Sequence, residues 1–107
     1  GYGALRHGEA VAVGMMGAAM IAERMGMISS QVVDLHQELL MRCGLPISFP
    51  YSVSTEVFIR SLLKDKKNVG GSLRMVLLKA IGKPVHSVQV EMELILDILP
   101  RLVEVEI

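Results

Sequence analysis

Apolar residues recur at helical spacing from Glu9 to Met25, where Ala10, Val13, Gly14, Gly17, Ala18, Ile21 and Met25 share one side of a 3.6-residue period. The spacing predicts a helix there. Glu9 stands in its first turn and Arg24 in its last, each matched to the helix dipole at its own end, and Gly26 is placed to stop it. Ser29 or Ser30 can cap a second helix with Val32, Val33, Leu35, Leu39, Leu40 and Cys43 as its apolar set, ended by Gly44 and Pro46. Leu45 to Ser54 carries two prolines among apolar and hydroxyl residues and reads as a packed connection. A short third helix, capped by Ser54, is expected from Thr55 to about Lys64, with Val57, Phe58, Ser61 and Leu62 on or near its inward face.

The pattern then changes. Asp65-Lys66-Lys67-Asn68 breaks the helical period, and Gly70-Gly71 supplies a turn before the compact run Leu73 to Leu78, which suits a strand. Gly82 and Pro84 mark the next turn, and Val85 to Val90 alternates as a half-buried second strand does, giving one β-hairpin. From Glu91 the helical spacing resumes through Leu94, Ile95, Ile98 and Leu99, and Pro100 ends or kinks that helix. The tail from Leu102 is extended or helical. No internal repeat appears, so the expected fold class is mainly α with one small β-hairpin.

Gly14 and Gly17 lie inside the first helix, where each costs about 1 kcal/mol relative to alanine at an exposed site. Close packing must compensate. With Ala10 and Ala18 they let another backbone approach, which makes this the central helix around which the rest packs.

Composition narrows the partners. A chain of 107 residues is one domain or part of one, with a single core. Eleven basic and eleven acidic side chains cancel to a formal charge of +0, which lacks the basic footprint of nucleic-acid binding. Ala10 to Ala22, the uncharged stretch inside that first helix, is shorter than the roughly 20 apolar residues that cross a bilayer. No secretion signal is evident at the start, and Cys43, the single cysteine, excludes an internal disulfide; a cytoplasmic setting is expected. Cys43 reads as a half-buried structural thiol near a helix end. Hydrophobic residues reach 51%, with eight methionines, which suggests surface that expects a partner. A chain opening on Gly1 and entering a helix almost at once looks like a fragment.

Two places carry candidate chemistry. His7 stands at the mouth of the first helix, where the dipole disfavours its protonated form and leaves a nitrogen lone pair of the kind a metal needs. The same dipole repels a metal cation, so further ligands are required, and Glu9 alone does not suffice. The other reading of His7 is a cap or loop contact. His36, beside Gln37 in mid-helix, is expected to face solvent, and His86 to lie on the polar face of its strand; the three histidines show no short ligand spacing. A catalytic zinc takes three protein ligands and keeps one position open. If His7 is one, the other two come from upstream of Gly1 or from another chain. Lys66 and Lys67, between a helix end and a Gly-Gly turn, either reach an anion or form a solvated turn that satisfies the helix terminus. No Walker or Rossmann glycine loop is present.

Taken together, Gly1-Tyr2-Gly3, His7-Gly8-Glu9-Ala10-Val11-Ala12, Gly14-Met15, Gly44-Leu45-Pro46, Asp65-Lys66-Lys67 and Leu73-Arg74 to Leu78 with Ile81-Gly82 resemble, in order, the C-terminal portion of the 3-dehydroquinate synthase family. The resemblance implies the helical half of a two-domain, homodimeric enzyme of the shikimate pathway. Its other half is an NAD-binding α/β domain, and it encloses a divalent metal, zinc or cobalt. Such enzymes convert 3-deoxy-arabino-heptulosonate 7-phosphate to 3-dehydroquinate by transient oxidation, phosphate elimination, re-reduction and ring closure. By that resemblance His7 is a metal ligand, Lys66 contacts the substrate phosphate, and Lys67 is its neighbour. Arg6 stands where leucine is common and takes no role.

The family's other two metal ligands, its remaining substrate-binding lysines and histidine, and its nucleotide-binding region have no counterpart in the chain. The chain is therefore expected neither to bind NAD nor to turn over alone. Other sugar-phosphate cyclases such as 2-deoxy-scyllo-inosose synthase, and metal-dependent alcohol or glycerol dehydrogenases, share the implied architecture; Asp65-Lys66-Lys67 favours a phosphate-losing cyclase. The reading from a different class is a non-catalytic helical interaction module.

Overall fold

The computed structural model describes residues 7–49, 68–69, 72–80 and 82–103. Three helices and a three-stranded antiparallel sheet make up these residues: α1 (His7–Arg24), α2 (Ser30–Arg42), β1 (Asn68–Val69), β2 (Ser72–Ala80), β3 (Lys83–Glu91) and α3 (Met92–Ile98), the last running into a 3-10 turn over Leu99–Leu102. Pro100 lies inside that turn. Its missing N–H and fixed φ are tolerated in the first residues of a new helical turn, so the chain tightens there instead of breaking. The helix predicted from Thr55 to Lys64 lies outside the described residues.

α1 and α2 end by the same device. Gly26 (φ +75°) and Gly44 (φ +73°) adopt the left-handed conformation. Around the first, the Gly26 amide donates to the Glu23 carbonyl (2.9 Å) and the Met27 amide to Ala22 (2.9 Å). Around the second, Gly44 donates to Met41 (3.0 Å) and Leu45 to Leu40 (3.0 Å). Both are Schellman closures, in which the paired bonds satisfy the last helical carbonyls and only glycine adopts the required φ without a Cβ penalty. Between them, Ser29 caps α2, its Oγ accepting from the Val32 amide at 3.4 Å.

α1 is the central helix. It packs against α2, β2, α3 and the 3-10 turn. Ala10, Ala12, Val13, Met16, Ala19, Ile21 and Ala22 are buried along it, as are Gly14 and Gly17. An almost continuous run of small residues allows neighbours to approach on several sides, which is what offsets the two interior glycines. Met75 and Leu77 from β2, Val90 from β3, Ile95 and Ile98 from α3, and Leu102 complete the core. Phe49 is fully buried and forms a parallel bridge to Val103, its amide donating to the Leu102 carbonyl at 2.6 Å. That bridge ties the connection after α2 to the far end of the chain, and shows the tail extended at Val103.

The sheet is larger than a hairpin. β2 pairs with β3 from Ser72↔Glu91 to Ala80↔Lys83, with irregularities between Met75 and Leu77 and between Leu78 and Ala80. β1 adds a third strand through Asn68↔Leu73 and Val69↔Ser72. Two residues carry too little pattern to be read as a strand, and Asn68 looked like part of the polar break before it.

Two expectations for α2 are corrected. His36, expected to face solvent, is buried at 8% exposure, while Leu35 and Leu39 of the apolar set are 40% and 48% exposed. The inward stripe is Val33, His36 and Leu40. A histidine can hold that position because its Nδ1 lies 2.8 Å from the Val32 carbonyl oxygen four residues back, an acceptor that fixes the proton on Nδ1 and satisfies the ring's donor inside the helix. Cys43, expected half-buried, is exposed, since it stands at the C-cap where α2 leaves the core.

Candidate functional site

α1 opens at His7 and places Glu9 in its first turn, as its dipole favours. Glu9 is partly buried and has an interaction partner. The helix is buried along most of its circumference, with one exception near its start: Gly8 is exposed, Val11 is 41% and Met15 49% exposed. By helical spacing positions 7, 11 and 15 fall on one face. Val11 and Met15 thus form an open apolar strip near the start of an otherwise enclosed helix, one and two turns after position 7. The His7 side chain itself lies outside the described residues.

Lys66 and Lys67 also lie outside the described residues; the chain continues from them directly into β1 at Asn68. β1 lies against β2, and β2 packs on α1. The helix that begins at His7 and the strand that follows the lysines therefore belong to one packed unit. Among the described residues, no group of three histidine, cysteine, aspartate or glutamate side chains stands close enough to hold a metal ion.

His36 is no candidate ligand, being committed to the packing of α2, and the His86 side chain lies outside the described residues. A shallow concavity on the outer face of α2 is lined by Asp34, Gln37, Glu38, Met41 and Arg42. Its arginine is paired with Glu38 at 2.7 Å across one helical turn, and its carboxylates would repel a phosphate, so it does not suit an anionic ligand. No helix of the described residues is long and apolar enough to cross a membrane.

The arrangement has known counterparts. A family model described as 3-dehydroquinate synthase C-terminal matches residues 1–68, a span that contains both His7 and Lys66. A solved structure of 2-deoxy-scyllo-inosose synthase, complexed with carbaglucose-6-phosphate, NAD+ and Co2+, superposes with a TM-score of 0.77 at 31% sequence identity. The match covers 92% of this chain and 30% of that one, so the chain spans about a third of the length of this relative. The likeness therefore extends past the family match, through the sheet and α3. Since the family model covers well over half of the chain, and the same fold recurs in a sugar-phosphate cyclase, the chain belongs to the 3-dehydroquinate synthase C-terminal family.

Proposed function

We propose that this chain is the metal- and phosphate-facing part of a sugar-phosphate cyclase, and that the complete enzyme is a 3-dehydroquinate synthase acting on 3-deoxy-arabino-heptulosonate 7-phosphate with release of phosphate. The observation that carries the reading is the family match over residues 1–68, because it holds the two candidate site residues in one ordered span. The inosose synthase relative, bound to a sugar-phosphate analogue, NAD+ and Co2+, supports the same class of substrate and cofactors. In this reading an NAD-binding domain is supplied by polypeptide outside the chain, the assembly is a homodimer, and the enzyme works in the cytoplasm.

In the complete site His7 contributes one neutral imidazole nitrogen to a zinc or cobalt ion, whose other ligands lie outside the chain. A divalent metal, when bound, would supply Lewis acidity toward the substrate's hydroxyl and carbonyl oxygens, and NAD held by the other domain would supply redox chemistry. A helix N-terminus disfavours a protonated imidazole, which suits position 7 to ligation. Lys66 holds the phosphate as a point charge and stabilises the negative charge that grows on it as it leaves, with Lys67 adjacent. Val11 and Met15 give the face beside position 7 an apolar character; once covered, it excludes water and strengthens the electrostatic contacts of the site.

An inosose synthase is the second reading, favoured by the solved relative. Both cyclases return their hydride, which separates them from an alcohol or glycerol dehydrogenase. The test is to supply the complete gene product with NAD, a divalent metal and each sugar phosphate. Phosphate release from the heptulosonate without net NADH is expected. Turnover of glucose 6-phosphate instead would assign the inosose reading, and accumulation of NADH would overturn the cyclase. Lys66→Ala is expected to lower kcat/KM by about 10- to 150-fold, the effect of roughly 1.5–3 kcal/mol for a charge-assisted bond.

A further inference from the structure

We draw no further inference here: the strongest candidate, the exposed apolar flank of α2 that carries Leu35 and Leu39 and ends at the Cys43 thiol, is an unpartnered helix face, and nothing in the structure shows what covers it.

Discussion

Leu39 and Leu40 are neighbours in one helix, and the packing of α2 gives them different roles. Leu40 is 7% exposed in the core and Leu39 is 48% exposed on the outer flank. Replacing either by alanine removes three carbons of side chain, worth about 0.8 kcal/mol each when fully buried. At Leu40 the whole transfer term is lost and a cavity remains, so the expected cost is about 3 kcal/mol, within the range for leucine truncations in cores. At Leu39 solvent fills the space and only about half of the transfer term applies, giving about 1 kcal/mol. The helix-propensity change is the same at both positions and cancels in the comparison. Urea unfolding of the two variants should therefore separate them by about 2 kcal/mol. With a slope of about 1–1.5 kcal/mol per molar for a domain of this size, that is a midpoint difference of more than about 1 M. Equal midpoints, or a larger loss at Leu39, would refute the orientation of α2.

Two further outcomes follow from geometry alone. Gly26→Ala should destabilise by about 1 kcal/mol, because its φ of +75° is unfavourable for a side chain although a Cβ there meets nothing within 4 Å. Gly8→Ala, in helical conformation with the same open surroundings, should be neutral or stabilising by up to about 1 kcal/mol; thermal unfolding that shows the same sign for both would contradict the assigned conformations. Arg24 and Asp97 bridge the end of α1 to α3 at 3.4 Å with both side chains substantially exposed. A double-mutant cycle should give a coupling below about 1 kcal/mol that shrinks in added salt, and a coupling unaffected by salt would rule out a screened surface pair.

Much of the fold is legible in the sequence where local and tertiary requirements coincide. The glycines at 26 and 44 and the serine cap at 29 each serve a local rule, and the run of small residues in α1 breaks one in a way that only close packing explains. The sheet is legible in β2 and β3 but not in β1, whose two residues gain their conformation from pairing with Leu73 and Ser72. The facing of α2 is where pattern misleads. Its apolar arc is wider than its buried stripe, so hydrophobicity alone cannot choose which edge turns inward, and a histidine with an internal hydrogen bond takes a place a leucine could have filled. His7 and Lys66 were visible as residue types suited to a metal and an anion, yet neither is decisive alone. Each has a plain structural alternative, and the three histidines show no short ligand spacing that would single one out.

In the proposed enzyme, position 7 contributes to a metal centre completed by polypeptide beyond this chain. The most direct measurement is the divalent metal content of the complete gene product, purified with and without His7→Ala and checked by circular dichroism for an unchanged fold. About one zinc or cobalt per subunit is expected in the parent protein, with a large loss in the variant while helicity is retained. Undiminished metal in the folded His7→Ala protein would contradict the account.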